Sequence, residues 1–244
     1  DEEEMVVAEA ASVAEIEQAF DADPMGIAAI IVEPIQGEGG DNHFRSEFLQ
    51  QLRRIADKRE AMLIFDEVQT GVGLTGSMWA FQQLGVTPDI VAFGKKTQVC
   101  GIMSTDRVDD INTNVFHVSS RINSTWGGNL VDMVRAARYL QIIAEEGLVE
   151  NAALSGELFL GELLAIQESF ALVTNVRGRG LMLAFDLPDA ARRDQLRELC
   201  WDAGLATLGC GERSVRFRPS LTFSPEDISK AVQFLRDALV ALHA

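Results

Sequence analysis

Three short apolar runs, each stopped by charged residues, constrain this chain more than any other feature. Ala28-Ala29-Ile30-Ile31-Val32 ends at Glu33-Pro34, Ala61-Met62-Leu63-Ile64-Phe65 at Asp66-Glu67, and Asp89-Ile90-Val91-Ala92-Phe93-Gly94 at Lys95-Lys96. Runs that are apolar at every position suit strands covered on both faces, and such strands separated by helices form a parallel sheet. Helical spacing supplies the separators: Val6 to Phe20, broken by Asp21-Ala22-Asp23-Pro24, and Phe48 to Arg59, with Phe48, Leu52 and Ile55 turned inward. Val99 to Met103 reads as a fourth strand.

Beyond these, Gly128 to Ile143 and Leu148 to Phe170 read as long helices. Gly180 to Leu187 and Ser214 to Arg218 then read as strands, and Arg192 to Ala203 and Pro225 to His243 as helices. The expected architecture is α/β: a large domain over residues 1–169 with a mostly parallel sheet and helices on both faces, then a small α+β domain over residues 170–244. Lys and Arg number 21 against 37 Asp and Glu, a net charge of −16, so phosphate-backbone binding is disfavoured and no nucleic-acid partner is expected. Cys100, Cys200 and Cys210 are an odd count without CxxC spacing, and His43, His117 and His243 are scattered, so no metal site is expected and a reduced, cytoplasmic setting is. No apolar run reaches the ~18 residues of a membrane span, so no membrane partner is expected, and the opening residues are acidic rather than those of a signal peptide.

Ligands of open α/β sheets bind beyond the carboxyl ends of the strands. The first strand delivers Glu33 and Glu38 there, the second Asp66, Glu67 and Gln69, and the third Lys95 and Lys96. A carboxylate following Leu63-Ile64-Phe65 is partly buried and needs a partner. The acidic end of that strand imitates the magnesium-binding strand of an ATPase, but no GxxxxGK[ST] loop is present. Gly71-Val72-Gly73-Leu74-Thr75-Gly76 satisfies GxGxxG, yet Asp66 and Glu67 lie between strand and glycines, where they repel a pyrophosphate. Pyridoxal phosphate chemistry needs the set that remains. A lysine forms a Schiff base and shuttles protons, and a carboxylate keeps the pyridine nitrogen protonated so that the ring acts as an electron sink.

The segments Val32 to Gly40 (VEPIQGEGG), Leu63 to Gly71 (LIFDEVQTG) and Pro88 to Lys95 (PDIVAFGK) resemble, in order and spacing, the class III pyridoxal-phosphate aminotransferases, which have fold type I. The resemblance runs from about Ile27 to the C-terminus. The stretches 95–101 (KKTQVCG) and 120–129 (SRINSTWGGN) are most similar to the lysine 6-aminotransferase branch, with Thr97-Gln98-Val99-Cys100 replacing the glycine-rich segment of many relatives. The resemblance implies that Lys95 is the Schiff-base lysine, with Lys96 structural. Asp66 pairs with the pyridine nitrogen, Val68 packs under the ring, and Gln69 contacts the ring hydroxyl. Thr125, with Ser124 as a second candidate, reaches the cofactor phosphate of the other subunit of an obligate homodimer. In Ser214-Val215-Arg216-Phe217-Arg218-Pro219 both arginines share a strand face, and the family pattern favours Arg216 as the ligand of a substrate carboxylate. Glu38 matches a glutamate that pairs with that arginine while an ω-amine substrate is bound and swings away for 2-oxoglutarate.

The implied reaction moves the ε-amino group of L-lysine to 2-oxoglutarate, giving 2-aminoadipate 6-semialdehyde and glutamate. The alternatives are another ω-aminotransferase, acting on ornithine or 4-aminobutyrate, or a catalytically inert module that keeps the fold. In the family, the phosphate-cradling loop, the ring-stacking aromatic and a second substrate arginine all precede the Glu33 strand. Only about 30 residues precede Glu33 here and they hold no such segment. The sequence is therefore expected to be the C-terminal part of a longer protein, and inactive alone.

Overall fold

The computed structural model describes residues 2–122 and 128–243. Two compact units emerge. The first gathers the chain up to Pro34 with Phe44–Gln69 and Phe81–Ile142; the second gathers Ile35–His43, Thr70–Ala80 and the chain from Ile143 onward.

The first unit contains α1 (Glu2–Ala22), β1 (Ala29–Val32), α2 (Ser46–Lys58), β2 (Met62–Asp66), α3 (Phe81–Leu84), β3 (Ile90–Phe93), β4 (Gly101–Ser104) and most of α4 (Leu130–Glu145). The three apolar runs are neighbouring strands in the order β1-β2-β3, all parallel, with Val32 beside Phe65 and Phe65 beside Val91. Glu33, Asp66 and Lys95 therefore leave the sheet at one carboxyl edge. Between β1 and β2, α2 buries Phe48, Leu49, Leu52, Ile55 and Ala56, and Ile55 joins Phe20 of α1 and Ala61 in a small cluster. Each of the Phe, Leu and Ile side chains contributes about 1.5–3 kcal/mol on burial, which is what holds the helices to the sheet. A charged tie completes the layer. Just before β3, Oδ2 of Asp89 accepts hydrogen bonds from the Leu63 N–H (2.7 Å), Arg53 (2.8 Å) and Arg107 (3.1 Å).

The fourth strand forms at residues 101–104 and runs antiparallel to β3, pairing Phe93 with Gly101. A parallel crossover needs a dozen or more residues, and only residues 94–100 lie between the two strands.

The second unit contains α5 (Leu148–Ser169), β5 (Thr174–Arg179), β6 (Met182–Asp186), α6 (Ala190–Asp202), β7 (Leu208–Cys210), β8 (Ser214–Phe217) and α7 (Pro225–His243). Its sheet, ordered β5-β6-β8-β7, is antiparallel throughout. The core sets Phe159 and Leu163 of α5 and Leu235 and Leu239 of α7 against Phe185 and Phe217 of the sheet. Residue 170, where the sequence suggests a domain start, lies inside this unit because α5 packs on its sheet. Gly156 of α5 lies so close to the β5–β6 turn that a Cβ would meet the Gly180 backbone at 2.3 Å. The sequence pattern does not announce β5 or β7. The first is polar and has an irregular register between Thr174 and Arg177; the second has three residues.

The Gly71–Gly76 segment is a series of turns with no helix before Phe81. Leu74 accepts the Leu181 N–H at 2.9 Å, so the glycines serve packing rather than a dinucleotide turn. Among the described residues, no group of His, Cys, Asp and Glu is placed to hold a metal ion, and no helix is long and apolar enough to cross a membrane.

Candidate active site

The sheet edge of the first unit presents Asp66, Val68, Gln69 and Lys95. Asp66 is the last residue of β2 and is half-buried; its Oδ1 accepts the Val68 N–H at 3.0 Å, which turns the chain and aims the carboxylate past the strand end. The neighbouring carboxylate faces the other way. Glu67 is buried and its Oε1 accepts the Phe81 N–H at 2.9 Å, while its own N–H donates to Ala92 of β3. The two acids thus separate into a structural one, Glu67, and one facing the edge, Asp66. Val68 and Gln69 follow, both half-buried.

Lys95 is exposed and opens a short 3-10 turn, Lys95–Thr97, directly after Gly94. Its φ is +33°, a region that residues with a side chain seldom occupy. Such backbone outliers persist only where the surroundings over-determine them, and they concentrate at functional positions. Here the surroundings are explicit. The buried Thr97 hydroxyl bonds the carbonyls of Gly94 (3.0 Å) and Val99 (2.7 Å), the Gln98 N–H returns to the Lys95 carbonyl at 3.0 Å, and the Lys96 ammonium donates to the Gln69 carbonyl. Lys96 is a brace between the ends of β2 and β3, and Lys95 is exposed. Ser124 and Thr125 lie outside the described residues.

The second unit holds the other expected pair. Arg216, in the middle of β8, is buried, and its Nη2 forms an ion pair with the carboxylate of Glu38, a largely exposed side chain 178 residues earlier. Its remaining donors, Nε and Nη1, are buried and meet no acceptor among the described residues. Arg218, which the two-residue period leaves equivalent, is distinguished by structure: its Nη2 is committed to Asp41 at 2.6 Å.

Sequence reasoning missed the network that holds this loop. Asp41 is fully buried with φ +56°. Arg177 of β5 donates to the carbonyls of Gly40 (2.6 Å) and Asp41 (2.9 Å), to Asp186 (2.9 Å) and to the Ser214 hydroxyl (3.0 Å). The Gly211 N–H donates to the Glu38 carbonyl at 2.9 Å. Burial raises the Asp186 carboxyl, but the hydrogen bonds from Asn175 and Ser214 and the Arg177 charge outweigh it and hold the group below its ordinary value. Arg177 lies 137 residues from Gly40, so no local motif signals the network.

Residues 1–239 match the family described as Aminotransferase class-III. The chain is 52% identical over 240 residues to the L-lysine-epsilon aminotransferase of Mycobacterium tuberculosis (strain ATCC 25618 / H37Rv), an alignment covering 98% of this chain and 54% of the relative. It is 50% identical over 229 residues to the enzyme of the same name from Streptomyces clavuligerus, covering 92% of this chain and 50% of that one. The solved lysine aminotransferase from M. tuberculosis in the internal aldimine form superposes with a TM-score of 0.96 at 51% identity, over 99% of this chain and 56% of that one. The chain thus spans about half the length of the curated relatives it matches. A family match over almost every residue means that this chain belongs to the class III aminotransferases.

Proposed function

We propose that this protein is a pyridoxal-phosphate-dependent aminotransferase that transfers the ε-amino group of L-lysine to 2-oxoglutarate, giving 2-aminoadipate 6-semialdehyde and glutamate. The observation that carries the reading is Arg216, buried, paired with the exposed Glu38, and holding two buried donors without an acceptor among the described residues. Each unmet buried donor costs about 1–3 kcal/mol, so the guanidinium is suited to an anion that comes and goes. A planar carboxylate takes such a fork through two parallel hydrogen bonds. Lysine brings an amine to the reacting end and needs that positive charge cancelled, which Glu38 does; 2-oxoglutarate brings a carboxylate and displaces it.

The first unit's sheet edge fits the cofactor. It offers an exposed amine at Lys95 and a half-buried carboxylate, Asp66, with acceptor capacity left beyond the Val68 N–H. Pyridoxal 5'-phosphate, when bound, supplies an electron sink for the carbon that loses its amino group. Lys95 holds it through Nζ and carries protons to and from that carbon. Asp66 keeps a proton on the ring nitrogen, Val68 packs beneath the ring, and Gln69 donates to the ring hydroxyl. Thr125, with Ser124 beside it, contacts the phosphate of a second subunit in a homodimer with shared sites. In this division residues 1–169 carry the cofactor groups and residues 170–244 carry Arg216. Three thiols without a disulfide, and no membrane-crossing helix among the described residues, support a cytoplasmic setting.

The test is Arg216→Ala in the cofactor-loaded full-length protein, with each half-reaction followed in single turnovers. Loss of a buried charged partner costs about 2–5 kcal/mol, so the 2-oxoglutarate half-reaction should slow roughly 30- to several-thousand-fold, and the lysine half-reaction much less. Equal losses in both would remove Arg216 from the role of carboxylate ligand. Faster turnover of ornithine or 4-aminobutyrate than of lysine would reassign the amino donor.

A further inference from the structure

The switch requires Glu38 to leave Arg216, and the surroundings of Glu38 restrict where it goes. Its backbone is fixed. The Glu38 carbonyl accepts the Gly211 N–H at 2.9 Å, Arg177 grips the next two carbonyls but one, those of Gly40 and Asp41, and the Asp41 carboxylate is tied to Arg218 at 2.6 Å. Gly211 leaves no slack: a Cβ there would meet the Gly40 Cα at 2.8 Å. On the other side of Glu38 the Gly37 carbonyl accepts the Asp41 N–H at 3.2 Å, so the carboxylate departs by side-chain rotation, and its second position lies within one side-chain length of a stationary Cα.

An open cleft of about 370 Å³ occupies that range, lined by Glu38, by Arg193 and Arg197 of α6, and by residues 208–211. Both arginines lie over Gly209 of β7, where a Cβ would meet Arg193 Cδ at 3.3 Å and Arg197 Nη1 at 3.5 Å. Their commitments differ. Arg193 is occupied by Asp194 at 2.8 and 3.2 Å and by the carbonyls of Gly211 and Glu212 at 3.0 and 2.9 Å. Arg197 has a single long contact to Asp194, 3.5 Å, with a carboxylate that Arg193 already holds, and its Nε is buried and meets no acceptor among the described residues.

We propose that Arg197 is a positioning residue for substrate exchange: it receives the Glu38 carboxylate when that group leaves Arg216, so that Glu38 alternates between two arginines on either side of β7. The proposal rests on the reading of Arg216 as the substrate-carboxylate ligand. Its consequence is a population effect. A dicarboxylate binds only the fraction of protein in which Arg216 is unmasked, so weakening the second position lowers that fraction and the apparent affinity with it.

The experiment is calorimetric titration of glutarate, a dicarboxylate that cannot react, into the cofactor-loaded full-length protein and its variants. Arg197→Ala should weaken glutarate about two- to five-fold, the worth of a half-exposed ion pair, and Arg197→Lys should restore most of that affinity. In a Glu38→Gln background, where nothing masks Arg216, Arg197→Ala should change glutarate affinity no further. A merely structural role, or direct attraction of the dicarboxylate by Arg197, predicts the same loss in both backgrounds, and that result overturns the proposal. So does unchanged affinity on Arg197→Ala with Glu38 present. Arg216→Ala separates the two levels of the argument. If it leaves glutarate binding intact, the reading of Arg216 fails and the proposal goes with it. If it abolishes binding while Arg197→Ala does nothing, the reading stands and the proposal alone is overturned.

Discussion

Lys95 and Lys96 are adjacent and of one type, yet the fold gives them different work. Lys96 is drawn to the Gln69 carbonyl, and Lys95, held at φ +33°, is exposed. Borohydride reduction of the cofactor-loaded full-length protein followed by peptide mapping should therefore place the pyridoxyl adduct on Lys95; an adduct on Lys96 with Lys95 clean would reverse the roles. Asp66 and Glu67 divide in the same way, one carboxylate at the sheet edge and one buried on the Phe81 N–H. Asp66→Asn keeps the size and the turn but removes the charge that, in the proposed function, holds a ring proton. Single-turnover rates should fall far more than cofactor retention, and near-normal rates would exclude Asp66 from that role. Glu67→Gln keeps an oxygen to accept the Phe81 N–H, so its effect should appear in the unfolding midpoint and not in the pH dependence of turnover.

At the scale of elements, β2 and β3 are specified twice, by apolar runs and by the Asp89 tie to Leu63, Arg53 and Arg107. The smaller sheet is specified less by local pattern and more by fit. Gly156 in α5 has ordinary helical surroundings in sequence, but its missing side chain is what lets the helix approach the Gly180 turn. Gly156→Ala puts a methyl group at 2.3 Å from backbone that has no flexible end to yield. The expected cost is about 1–3 kcal/mol of stability, read as a lower urea midpoint with unchanged slope, and outweighs the modest gain in helix propensity. A stabilised variant would mean that α5 is free to shift. In the three-residue strand β7, Gly209 carries no side chain, and the two α6 arginines lie over it.

For the molecule as a whole, acidity is the condition to which stability should respond most. Burial raises the Asp89 carboxyl, but the Leu63 N–H and the Arg53 and Arg107 guanidinium groups outweigh it and hold the group below its ordinary value. A carboxyl with a depressed folded-state pKa contributes its full stabilisation above the unfolded value of about 3.9 and loses it as pH falls through the lower folded value. Asp186 behaves alike. Unfolding monitored from pH 7 to 2 should therefore lose stability chiefly below about pH 4. Asp89→Asn should cost about 3 kcal/mol at pH 7 and flatten that acid limb, because Arg53 and Arg107 lose their shared anion. An unaltered acid limb would show that Asp89 gains nothing from its partners. Burial pushes the Cys200 thiol up to about 11, so this cysteine stays protonated and takes no part in the neutral-pH response. The sequence by itself determined the parallel strands and their charged carboxyl ends, with Asp66 and Lys95 among them, because a strand apolar on both faces has one way to be buried and its first charged residue must leave the sheet. The antiparallel turn of β4 followed only from the short span 94–100, and the polar β5 and three-residue β7 needed a sheet already formed beside them. Strand periodicity alone likewise left Arg216 and Arg218 equivalent. A two-residue period places both on one face, and what separates them is Glu38 and Asp41, brought from 178 and 177 residues away by the folding of the chain.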